Sequence, residues 1–233
     1  YIPIMLDAIK NATIPIDYNR DITSYGSLWL RMTTVLKRLN HDEVVQYLID
    51  KFQEYVVMKD GQVEKVIRIS GGNYSLRGVI LASSPYQPVE IANGILALMR
   101  SYIDVPDIWS MLHLVASEKF QSELLDELKK WHNLYLRHQK SHVNSWESDD
   151  ALQRMLALIK ALNEIKNPNE DVLIEYEEIL VRIPQTMEFT SLTYSVRDQV
   201  HYSLYSISRK LGYKIFLSSD GGGQIYNYRE NSV

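Results

Sequence analysis

Cysteine is absent from all 233 residues. One absence thereby excludes disulfides, thiolate zinc sites, iron–sulfur clusters and a cysteine nucleophile. It also removes the staples on which small secreted domains rely. An intracellular setting is the expectation, with cytoplasm and nucleus not distinguished. Long apolar runs are missing too. The stretch from Ile91 to Tyr102 is interrupted by Asn93 and Arg100, well short of the ~20 residues a membrane span needs. No membrane partner is expected. Charge of one sign does not dominate: 25 basic residues face 29 acidic ones, for a net charge of -4. The whole molecule is therefore not a basic nucleic-acid coat, although a total of this kind hides local patches. The chain begins at Tyr1 rather than Met, as expected for a fragment or a processed product.

Motifs are equally sparse. Gly71-Gly72 and Gly221-Gly222-Gly223 are the only glycine clusters. Neither carries the phosphate-loop lysine or opens a helix after a strand, so both read as turns. There is no GxSxG elbow and no paired-acid spacing. The strings Asn11-Ala12-Thr13 and Asn73-Tyr74-Ser75 match the glycosylation acceptor but are short enough to arise by chance. Pro106-Asp107 with Glu127-Leu128-Lys129 matches the bare string of a metal-dependent nuclease. Glu127 and Lys129 lie inside a helical pattern, whereas that chemistry wants neighbouring strands around a cation. His138 and His142 share a helical spacing without the intervening glutamate of a zinc motif. No metal and no cofactor are implied.

What is present is ordinary globular material: 45% hydrophobic and 23% charged residues, enough to bury a substantial core. Tyrosine is plentiful, with sixteen against four phenylalanines. Its apolar ring and polar tip suit half-buried positions and contact surfaces.

Periodicity predicts a mainly α, α+β chain: a bundle-like helical core with two β-hairpins. Leu28, Met32, Val35, Leu36 and Leu39 form one apolar stripe, after Thr23 or Ser24 as N-cap. Asn40 and Glu43 look like a capping box opening a helix with Val44, Val45, Leu48, Phe52 and Tyr55. Strands follow at 55–59 and 63–69 around Asp60-Gly61, a strong hairpin signal. Residues 74–82 read as a third strand with Gly78 as a bulge. Pro88 starts a helix to about Ile103, and Asp107 to Ala116 a shorter one. Ser117 caps a long helix with the stripe Phe120, Leu124, Leu128, Trp131 and Tyr135. Ser148 caps the next, with Leu152, Met155, Leu156, Ile159, Leu162 and Ile165. A helix from Glu170 to Val181 is stopped at Pro184. The last begins near Thr193, carries Val196, Val200, Leu204, Ile207 and Leu211, and ends at Gly212. A second hairpin over 213–229 closes the chain. The polar stretch Lys140 to Asp150 divides a mixed domain, 1–143, from a helical one, 144–233. A single domain is the alternative.

Two basic clusters stand out. Lys129, Lys130, Arg137 and Lys140 occur without an acid between them and with Trp131 and Tyr135 interleaved, a combination able to grip phosphates and stack bases. The competing reading is a helix C-terminus whose cations suit the dipole. The second cluster is the C-terminal helix and hairpin, which resembles in pattern the last helix and wing of winged-helix modules. Its candidate contacts are Arg197, Gln199, His201, Ser203 and Ser206 on the helix, Arg209, Lys210 and Lys214 at the joint, and Arg229 on the hairpin. Tyr202, Tyr205, Tyr226 and Tyr228 add stacking surfaces. The function expected is a non-enzymatic binding or assembly subunit. Its partner is a protein or a second copy, with nucleic-acid contact through the C-terminal module as the sharper version. The alternatives are an oligomeric scaffold, or an enzyme assembled from distant residues such as His113, Glu90 and Asp107.

Overall fold

The computed structural model describes residues 2–11, 22–67, 74–101, 105–141, 145–185 and 191–212. The chain divides into two compact units, Tyr1–Ser117 and Glu118–Val233. The expected division near 143/144 lies outside the described residues, between two helices that pack on each other.

In the first unit, α1 (Ile2–Asn11), α2 (Ile22–Arg38) and α3 (Val44–Tyr55) lead directly into β1 (Val56–Lys59) and β2 (Gln62–Val66). The strands pair antiparallel, Lys59 opposite Gln62 and Val56 opposite Val66. Asp60 and Gly61 both have positive φ, 50° and 75°. This is the twist that matches a two-residue hairpin turn. One residue is bulged between Val57 and Met58 and their partners. The first hairpin is therefore as expected. The second, with Lys214 and Arg229, lies outside the described residues.

The third expected strand is instead a helix, α4 (Tyr74–Ser83). Its buried side chains Leu76, Val79, Ile80 and Ala82 step by three and four, one helical face. Asn40 is not part of a capping box. It sits at φ 59°, its N–H donating to the Lys37 carbonyl at 3.0 Å and that of His41 to the Leu36 carbonyl at 2.7 Å. That pair of bonds is the Schellman closure of α2, and the residue before α3, Glu43, makes no side-chain cap. α5 (Val89–Arg100) is buried almost all round, from Ile91 to Met99 with only Asn93 outward. It is the central helix of this unit. α6 (Pro106–Trp109) and α7 (Leu112–Val115) replace one expected helix.

The second unit starts with a 3₁₀ turn at Glu118–Phe120 and continues as α8 (Gln121–Ser141), α9 (Ser145–Glu164), α10 (Glu170–Gln185) and α11 (Ser191–Leu211). The most extensive packing runs α8 on α9, α9 on α11, α11 on α10 and α10 on α8. That is a four-helix bundle with α8 and α11 on one diagonal. The Asn169 N–H donates to Gln121 at 2.9 Å, placing the starts of α10 and α8 together. Lys210 Nζ donates to the Ile165 carbonyl at 3.1 Å, placing the ends of α11 and α9 together. The direction therefore alternates along the chain. The stripe Phe120, Leu124, Leu128, Trp131 and Tyr135 is buried as expected, as are Val196, Val200, Leu204 and Ile207. Gly212, at φ 75°, ends α11.

Candidate interaction face

The orientation of α11 is set by its core stripe and by a polar chain. Tyr176 on α10, buried, donates to the Ile159 carbonyl at 3.2 Å and meets Asn163 Oδ1 at 3.3 Å. Asn163 Nδ2 donates to Ser203 Oγ at 2.7 Å, and Ser203 donates to the Gln199 carbonyl at 2.6 Å. Three helices are tied at one level, and removal of any member would strand a buried polar group. Burial pushes the Tyr176 phenol well above its ordinary range. Ser203, expected on the contact face, is instead fully buried in this chain.

With the inner face fixed, α11 presents the opposite one to solvent. Tyr194, Tyr202 and Tyr205 are 61%, 63% and 57% exposed. Asp198 and Arg209 are exposed in the same strip, and His201 is half-buried at its edge. At ~100° per residue, these positions fall on the side opposite Val196, Val200, Leu204 and Ile207. The Arg209 guanidinium lies over the Tyr205 ring, 5.9 Å from its centroid. The structure thus brings together Tyr202, Tyr205, His201 and Arg209, all predicted from sequence. It adds Tyr194 and Asp198, which sequence reasoning missed. The signal for Tyr194 was present as the recurrence of tyrosine at steps of eight and three.

The other predicted residues distribute differently. Lys210 is engaged with the Ile165 carbonyl, and burial lowers its pKa while Glu164 pulls the other way. Arg197 and Gln199 are half-buried. On α8, Lys129 is clasped by Glu175 at 2.5 Å and Asp126 at 3.2 Å. Burial acts to lower the Lys129 pKa, but those two carboxylates raise it overall. Lys130 bonds Glu127 at 3.3 Å, with Nζ 5.7 Å from the Trp131 centroid. Trp131 and Tyr135 are buried and offer no platform for bases. Arg154 is buried with Trp131, its guanidinium 4.5 Å from the ring centroid and its Nε 2.9 Å from Asp150. Arg137 and Lys140 are exposed.

No protein-family model, no curated protein and no solved structure matches this chain. The residues themselves therefore carry the functional reading. Among the described residues no group of three metal-ligating side chains converges, and no helix is long and apolar enough to cross a membrane. His138 is paired with Glu147 at 3.0 Å, and its partner in the metal reading, His142, lies outside the described residues. His113 contacts the Ser110 carbonyl of its own turn at 2.6 Å, while Glu90 and Asp107 are exposed.

Proposed function

We propose that this chain is a non-enzymatic binding or assembly subunit that engages a macromolecular partner through the outer face of α11. The observation that carries the reading is the alignment of three well-exposed tyrosines on one helix whose opposite face is anchored in the core. Tyrosine is enriched at interfaces because it gives large contact area at low entropic cost. A protein surface is the favoured partner. The adjoining helix α10 carries five carboxylates and a single arginine, a poor neighbour for phosphates, and Lys129 and Lys130 already face acids. Nucleic-acid contact is the second reading, supported by Arg209 seated over Tyr205 beside Tyr202.

The test is the double substitution Tyr202→Ser/Tyr205→Ser in the full chain. A contact face contributes little to folding, so the unfolding free energy from urea denaturation should hold within ~0.5 kcal/mol. A loss above ~1 kcal/mol would make the tyrosines a structural cover and overturn the reading. Titration of a fluorescent single-stranded oligonucleotide decides the second reading. Binding that weakens with salt and is lost in Arg209→Ala/Lys210→Ala would establish it.

A further inference from the structure

The exposed strip of α11 has a symmetry of its own. About the point between His201 and Tyr202, Tyr194 is equidistant with Arg209, and Asp198 with Tyr205. His201 and Tyr202 are equidistant too. Two such helices laid antiparallel around that point would set each Tyr194 ring against the partner's Arg209, a cation–π pair. Each Asp198 carboxylate would face the partner's Tyr205 phenol, which can donate to it. Tyr202 would meet the partner's His201 and Tyr202 at the centre. A twofold contact requires this self-complementarity, because the same patch serves both sides.

The charges agree with that register. Asp198 and the partner's Arg209 are offset by one turn, about 6 Å along the axis, within reach of the long guanidinium side chain. The two Arg209 residues are separated by about 22 Å and the two Asp198 residues by about 10 Å along the axis. Opposite charges are therefore close and like charges apart. A parallel pairing would instead put Arg209 beside Arg209 and Asp198 beside Asp198.

Resting on the reading of α11 as the contact face, we infer that its partner is a second copy of this chain, bound through an antiparallel α11–α11 pair. Each tyrosine offers about six tenths of ~200 Å², so the three contribute roughly 350 Å² per copy. That is below the ~800 Å² per partner of a standard interface. The dimer is accordingly reversible, forming in the micromolar range or above.

Sedimentation equilibrium of the full chain from about 1 to 300 μM tests this. The wild type should shift from monomer to dimer. Asp198→Arg alone places two arginines together at each end of the pair, and Arg209→Glu alone two carboxylates; each variant should lose dimer at least tenfold in dissociation constant. Mixed in equal amounts, the two should form a heterodimer, since arginine at 198 of one then faces glutamate at 209 of the other. A wild type that stays monomeric at 300 μM, or two variants that stay monomeric when mixed, would overturn the inference. Either result leaves the broader reading standing if the tyrosine substitutions are neutral to folding, whereas a destabilised Tyr202→Ser/Tyr205→Ser chain removes both. Dimerisation lost only when an oligonucleotide is removed would assign the face to nucleic acid and also overturn it.

Discussion

Replacing Gly94 by alanine should destabilise the first unit, against the ordinary behaviour of helices. In a helix interior Gly→Ala gains up to ~1 kcal/mol. Here an added Cβ would lie 2.8 Å from Phe52 Cζ and closer still to Cε1. Carbon atoms prefer ~3.5–4.0 Å, so about 1 Å of displacement is demanded of the ring. Phe52 is buried on α3 and Gly94 on the central helix α5, which leaves the ring nowhere to turn. Overpacking of this kind costs ~1–3 kcal/mol, more than the propensity gain. The net loss is about 1 kcal/mol, or a few degrees in Tm for a unit of this size. Urea denaturation of wild type, Gly94→Ala, Phe52→Leu and the double variant closes a thermodynamic cycle. Gly94→Ala should destabilise alone and stabilise in the Phe52→Leu background. A Gly94→Ala chain at least as stable as wild type would refute the close packing of α3 on α5.

Further outcomes follow from local geometry. Asn40, at positive φ, should tolerate glycine with a small gain, while Asn40→Ala costs ~1 kcal/mol in urea denaturation. Gly61→Ala, at φ 75° with open space around it, should cost a similar amount by backbone strain alone. Burial, aided by Arg182, lowers the His132 pKa below its ordinary value of 6.5. The folded state thus binds the proton less well than the unfolded one. The stability conferred by neutral His132 is complete above about pH 6.5 and falls away as pH drops below that. Between pH 7.5 and 5.5, wild type should lose more stability than His132→Gln; equal slopes would contradict the burial of His132. The Lys129–Glu175 pair is half-exposed, so a double-mutant cycle should give under ~1 kcal/mol, shrinking with added salt.

Those features that depend on neighbours in sequence were legible before any coordinates. The stripe from Phe120 through α8 to Tyr135, the Asp60-Gly61 turn and the closing Gly212 each rest on a period or a single φ preference. The misreadings share a different cause. Val79, Ile80 and Leu81 form a short apolar run that periodicity alone cannot divide between strand and helix, and only packing against α2 and α3 decides for α4. Asn40 is a residue type used at both ends of helices, and its positive φ rather than its identity assigns it to the end of α2. Leu39, counted in the α2 stripe, is about half exposed because it follows the last helical turn.

The candidate face was legible in part. Tyr202, Tyr205 and Arg209 could be placed outward because Val196 to Ile207 fixed the opposite side. The neutralisation of Lys129 could not be foreseen, since Glu175 is 46 positions away and meets it only once the bundle closes. Nor could Ser203 be told from a surface serine without its Asn163 partner. Short-range patterns locate helices, whereas the pairing of polar groups between helices is a property of the assembled bundle.

Tyrosine nitration read by mass spectrometry tests the exposure of the α11 face most directly. In dilute protein, Tyr194, Tyr202 and Tyr205 should react first while Tyr135 and Tyr176 resist, and concentrated protein should protect the first three. Should Tyr202 and Tyr205 react no faster than Tyr176 in dilute solution, the face is covered and the account of this chain as a binding subunit is contradicted.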